Sequence, residues 1–220
     1  MLKPDQKLAI HFFEQIDKLN GKMGHGVLRY SRNPIACAID LNHGGRSTRD
    51  LLDFGPDVPI YSNVESAMSA GGEVLILGMA PSGGLLPPEM VEEVDRAVSA
   101  GMSVINGLHE QLGPRYPNLP EGQWIWDIRQ EPQDLGIAWA RAAKLSNRRA
   151  LLVGTDMAVG KMTAGLEIWH AALRDDVRAD FLATGQIGIL VSGKGVPLDA
   201  IRVDYACGAI EKMVLEAADA

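Results

Sequence analysis

Between Gly154 and Thr163 the chain reads GTDMAVGKMT, which sets two glycines, an acidic residue and a lysine close together. Glycines let successive backbone N–H groups turn inward, a following helix presents an electropositive N-terminus, and a lysine can reach outer phosphates. The chemistry within reach is therefore phosphate binding. The spacing departs from GxxxxGK[ST] in two ways. Five residues separate Gly154 from Gly160, and Met162 stands where a magnesium-binding hydroxyl is expected. Thr163 follows one position later, and one residue rotates a helical side chain by about 100°. The loop either holds a phosphate without cleaving it or is a strand-to-helix turn with a solvated lysine. Its candidate cofactor contacts are Gly154, Thr155, Asp156, Val159, Gly160, Lys161, Met162 and Thr163. Asp156 repels a phosphate unless it caps the helix or meets magnesium.

Four further groups could act on a substrate. Thr184, Gly185 and Gln186 follow an expected strand, at the edge where parallel sheets gather ligands, and Gln186 offers both a donor and an acceptor. Asp204 and Glu211 lie seven apart on an expected helix, so they share a face; they are either a substrate-orienting or basic pair, or a solvated acidic surface. His109, in NGLHEQL, is a candidate general base. In GGRSTR, Arg46 and Arg49 could receive an anion, as could Ser82 in GMAPSGG, unless these glycines simply reverse the chain.

The elements that must position these residues read as α/β. Short apolar runs alternate with helical patterns, the form of a parallel sheet with crossover helices. KLAIHFFEQIDKL spaces Leu8, Phe12, Ile16 and Leu19 at helical intervals and is read as a helix capping the first domain. IACAID is a buried strand ending at Asp40. EVLILGMAPSGGLLPPEMVEEVDRAVSAG is a strand, a loop and a helix closed by Gly101, and MSVING is the next strand. Prolines and glycines in GPRYPNLPEGQWIW suggest a linker, giving domains at 1–112 and 126–220 joined by 113–125. After the linker, RRALLVG, ADFLATG and IGILVSG supply about three strands. Those from KMTAGLEIWHAALRD and DAIRVDYACGAIEKMVLEAA are helices. This second domain is expected to be incomplete on its C-terminal side and to leave an apolar edge through which copies associate.

The chain has 220 residues, 46% of them hydrophobic and 22% charged, with no apolar run near the roughly 20 residues of a membrane span. Its N-terminus lacks the pattern of a signal peptide. A net charge of −7 disfavours a nucleic-acid backbone as partner. Two cysteines, Cys37 and Cys207, make no disulfide framework, and five scattered histidines show no metal-ligand spacing. A cytoplasmic protein with a small-molecule substrate and no metal is expected. GxGxxG is absent after a first strand, so dinucleotide binding has weak support.

Two resemblances sharpen these expectations. GTDMAVGK is similar to the GTDxxxGKT loop of dethiobiotin synthetases, which leaves open an ATP- and magnesium-dependent ligase or carboxylase, or a non-catalytic nucleotide-binding module. LLVGTDMAVGKMTAGLE, FLATGQIGILVSGKGVPLDAIRVDYACGAIE and NGLHEQL resemble more closely a family that includes the D-glutamate N-acetyltransferases. That resemblance implies an N-terminal Rossmann-like parallel-sheet domain followed by a P-loop domain. It also implies acetyl transfer from acetyl-CoA to the amino group of a D-amino acid. The loop at Gly154 would then hold phosphates of coenzyme A. Family members generally extend past the residue at which this sequence stops.

Overall fold

Leu8–His11 (β1), Ile35–Ile39 (β2), Val74–Leu77 (β4) and Ser103–Asn106 (β5) are short segments rich in aliphatic residues. In each of β1, β4 and β5 every residue is buried. Burial of consecutive residues means burial of both faces, the environment of a parallel sheet covered on two sides. Ile60–Tyr61 (β3) and Ile125–Asp127 (β6) complete a six-stranded sheet of order β3-β2-β1-β4-β5-β6 in which every pairing is parallel. This is the doubly wound Rossmann order, with its topological switch between β1 and β4. One row of the register runs from Ala38 through Ile10, Ile76 and Ile105 to Trp126.

The computed structural model describes residues 2–81, 83, 85–156 and 159–218. Ser82 lies outside them. The chain divides into two units, Met1–Arg129 and Gln130–Ala220.

In the first unit, Lys22–Tyr30 (α1), Val64–Ser69 (α2) and Pro88–Ser99 (α3) cover the sheet. Ala9, Cys37, Ile39, Leu75, Leu77 and Val104 pack with Val64, Ala67, Met90, Val94 and Ala97 of α2 and α3. Alternate residues point to the opposite face, where α1 crosses. There a Cβ built on Gly24 would lie 2.5 Å from Phe12 Cζ and 3.0 Å from Ile10. Asn63 caps α2 by accepting from the Ser66 amide at 2.9 Å, and Pro88 opens α3.

The segment read as a capping helix is instead β1, the central strand. Helical spacing of Leu8, Phe12, Ile16 and Leu19 would bury all four, yet Leu19 is 93% exposed and the residues 8–12 are all buried. The expected linker 113–125 leads directly into β6, whose amides and carbonyls are paired with β5. The division therefore falls after Arg129, later than the turn residues alone suggest.

The second unit holds Lys161–Arg174 (α4), Gln186–Ser192 (α5) and Val203–Glu216 (α6). Two of the three expected strands, 148–154 and 179–185, are in no ladder, apart from a single parallel bridge between Ala183 and Gly195. The third, IGILVSG, is α5, with Gly188, Ile189, Leu190 and Val191 buried. An apolar run becomes a strand only where a neighbour completes its hydrogen bonds. Leu151 and Val153 have none of that cover and are 87% and 79% exposed.

Candidate functional site

The loop from Gly154 ends where α4 begins. Gly160 takes φ +91°, a left-handed conformation natural to glycine, and Lys161 is the first helical residue. Gly154 sits under the loop's other arm: a Cβ there would meet Val159 Cγ2 at 2.8 Å and the Lys161 stem at 3.0 Å. Both glycines are thus required by the shape of the turn. The Lys161 ammonium donates to the Asp156 carbonyl, which folds it back over the loop. Thr155, Asp156, Val159 and Gly160 are exposed, while Lys161, Met162 and Thr163 are half-buried. An exposed glycine turn at a helix N-terminus with one lysine fits a phosphate group. The lysine must release Asp156 to reach it. Met162 places no hydroxyl beside that lysine.

α4 packs on the segments that lead into both of the unit's candidate loops. A Cβ on Gly165 would lie 2.7 Å from the Phe181 ring and 3.2 Å from Leu152, and the Trp169 indole donates to the Ala179 carbonyl at 3.0 Å. Thr184 is exposed, its carbonyl accepting from the Leu198 amide at 3.1 Å. Gly185 is the N-cap of α5 and Gln186 its first residue.

Asp204 and Glu211 share α6 but not an environment. Asp204 is exposed in the first turn, whereas the Glu211 carboxylate is buried. Glu211 accepts from the backbone amides of Trp139 at 2.8 Å, Arg141 at 2.5 Å and Ala142 at 3.3 Å, and from Arg141 Nε at 3.3 Å. The Trp139 amide first, then those of its neighbours and the Arg141 guanidinium, hold its carboxyl below the usual carboxylate range against the opposing effect of burial. Every lone pair so engaged is withdrawn from proton transfer. Glu211 fastens the segment 139–142 to α6, and the structure does not present it as a base beside Asp204.

In the first unit, Arg129 Nη1 lies 2.6 Å from His109 Nε2 while Arg129 Nε donates to the Gly107 carbonyl at 2.8 Å. A guanidinium only donates, so Nε2 must accept and the proton sits on Nδ1. His109 is exposed, with its basic nitrogen facing an arginine. Arg46 is exposed, and its guanidinium donates to the Asp50 carbonyl at 3.4 Å; Arg49 donates to the Gly55 carbonyl at 3.2 Å.

Three polar groupings escaped the sequence reading. At the carboxyl end of β5 and β6, Asn106 donates to Asp127 at 2.7 Å, and Asp127 takes the amides of Leu112 and Gly113 at 2.9 and 2.8 Å. Between β1 and α3, His11 lies 3.6 Å from Glu93, and among the described residues neither of its ring nitrogens has a hydrogen-bond partner. The third follows β2. Asp40, fully buried, accepts from the Ile16 and Asn42 amides at 3.1 Å each and from His43 Nδ1 at 2.8 Å; His43 Nε2 lies 3.8 Å from Asp17. Only this last left a trace in sequence, an aspartate ending a strand with a histidine three residues on.

Residues 41–131 match a family model described as "Domain of unknown function (DUF1611_N) Rossmann-like domain", and residues 136–220 match "Domain of unknown function (DUF1611_C) P-loop domain". The chain belongs to the DUF1611 family. A crystal structure of a DUF1611 family protein from Anabaena variabilis superposes with a TM-score of 0.91 at 44% identity, over 97% of this chain and 63% of that one. The family's relatives include a D-glutamate N-acetyltransferase of a Pseudoalteromonas species, 34% identical over 217 residues, and one of Tritonibacter scottomollicae, 35% identical over 153 residues. These alignments cover 96% and 67% of this chain and 61% and 45% of the relatives. The chain thus spans about three fifths of the length of the first. Among the described residues no helix is long and apolar enough to cross a membrane.

Proposed function

We propose that this protein is an N-acetyltransferase that moves an acetyl group from acetyl-CoA to the amino group of a D-amino acid such as D-glutamate. The observation that carries the reading is the shared name of the two relatives, D-glutamate N-acetyltransferase, at 34% and 35% identity. The loop at Gly154 supports a donor that carries phosphates. Its exposed glycine turn and Lys161 could hold the phosphates of coenzyme A, and a cofactor that is held but not cleaved needs no hydroxyl at Met162.

A thermal-shift series with acetyl-CoA, CoA, ATP plus magnesium, and NAD, followed by an assay of CoA release with D- and L-glutamate, tests this. Ligands that bind the folded state raise its apparent stability by mass action. Stabilisation by acetyl-CoA and CoA, with CoA release that depends on D-glutamate, is expected. Stabilisation by ATP only with magnesium, and none by CoA, would replace the reading with an ATP-dependent ligase.

A further inference from the structure

The carboxyl end of β2 carries an acid–imidazole–acid series whose geometry suits an amine. Asp40 is fully buried, and its carboxylate accepts only. At 2.8 Å the His43 Nδ1 must therefore donate to it, so that in the neutral ring the lone pair sits on Nε2. That nitrogen faces Asp17 at 3.8 Å, beyond hydrogen-bond distance, with the histidine side chain 15% exposed and that of Asp17 44% exposed. The loop that carries the ring is fixed. A Cβ on Gly44 would meet Ser62 at 2.9 Å, the Gly45 amide donates to the Ile60 carbonyl at 2.9 Å, and the Ser47 amide donates to Asp50 at 2.8 Å. Arg46 closes the same turn through its amide, 3.3 Å from the His43 carbonyl, and its guanidinium is only loosely held.

We propose that Asp17, His43 and Asp40 form the site that binds and deprotonates the α-ammonium of the amino-acid substrate, with Arg46 taking its carboxylate. The proposal rests on the acetyl-transfer reading and adds the residues that would prepare the amine. Asp17 supplies the charge that draws the ammonium in, and Nε2 takes its proton. Asp40 is a positioning residue, holding the tautomer that leaves Nε2 free and stabilising the imidazolium that results. Across the reaction the nitrogen loses two protons. The first passes to Nε2 as the ammonium becomes an amine. The second leaves as the N–C bond forms, and goes to the sulfur when the C–S bond of the thioester breaks. The imidazolium then returns its proton to water, so ammonium and thioester give amide, thiol and one proton.

The test uses the 220-residue chain and two readouts. In ring-nitrogen NMR, His43 is expected to show the Nδ1–H tautomer, and D-glutamate is expected to shift its Nε2 signal. Asp40→Asn, whose amide can donate to the ring, is expected to reverse the tautomer. In the CoA-release assay His43→Gln is expected to lower kcat by about 100-fold or more with the KM for acetyl-CoA unchanged, the usual weight of a general base. Asp17→Asn is expected to raise the KM for D-glutamate while sparing that for acetyl-CoA. Should His43→Gln fail to fold, the NMR of the unaltered chain still decides. Wild-type turnover by His43→Gln, or saturation with D-glutamate that leaves the His43 signals unmoved, overturns the proposal and spares the acetyl-transfer reading. Absence of any acetyl transfer by the unaltered chain, with D-glutamate still shifting His43, overturns the acetyl-transfer reading instead and leaves an amine-binding site.

Discussion

Gly24 and Gly78 meet backbone to backbone. The Gly24 amide donates to the Gly78 carbonyl at 2.6 Å, and a Cβ on Gly78 would lie 3.0 Å from the Gly24 Cα. This contact seats the first turn of α1 on the end of β4, at the switch between β1 and β4. Gly24→Ala drives a methyl group into the fully buried Phe12 ring, and overpacking of this kind costs about 1–3 kcal/mol. Gly101→Ala is the comparison: it has open space around it but φ +93°, so only the left-handed penalty of about 1–2 kcal/mol applies. Urea unfolding should show both losses, and only Gly24→Ala should also perturb the Phe12 ring resonances.

His11 and Glu93 give a second expectation. Glu93 is held below the usual carboxylate range, first by His11 and then by Arg96, against the opposing effect of burial. Replacing one partner leaves the other buried without it, so His11→Leu is expected to lose about 1–3 kcal/mol. The double change to His11→Leu and Glu93→Leu restores an apolar pairing and should lose less than the two single losses added together. Additive losses would show that the two side chains do not interact.

The third concerns acid. The folded-state pKa of Glu211 is depressed, so its contribution is complete above the unfolded value of about 4.3 and is lost as pH falls through the lower folded value. Glu211→Gln keeps an acceptor but removes the charge. Its stability is expected to vary less with pH below about 4.3 than that of the unaltered chain, and its Trp139, Arg141 and Ala142 amides should exchange faster with solvent at neutral pH. An unchanged acid limb would place the sensitivity in other carboxylates.

The fourth returns to Lys161. If the loop holds coenzyme A phosphates, Lys161→Ala removes a charge-assisted contact worth about 1.5–3 kcal/mol, and the KM for acetyl-CoA rises roughly tenfold or more. The phosphates are remote from the reacting carbonyl, so kcat should change less. Unaltered affinity for acetyl-CoA would make the loop only a turn. Met162→Thr is not expected to make turnover depend on magnesium.

Sequence alone determined what depends on neighbours within a few residues. The α3 and α4 helices follow their apolar spacing, Pro88 opens one and Gly101 follows its end, and Gly160-Lys161 marks the start of the other. The alternation of such units with apolar strands was enough for the α/β class. Only the tertiary structure decided the rest, because the deciding partners lie far apart in the chain. Leu8–His11 is a strand because β2 and β4 flank it on both sides, which no helical spacing of its own side chains can express. Leu151 and Val153 have equally strand-like side chains but no ladder. Glu211 was legible as a carboxylate on a helix face, while its partners are amides some seventy residues earlier. Asp40 and His43 lie three residues apart in sequence, yet Asp17 approaches the same imidazole from a separate loop. A site of this kind exists only once the sheet has brought its loops to one edge.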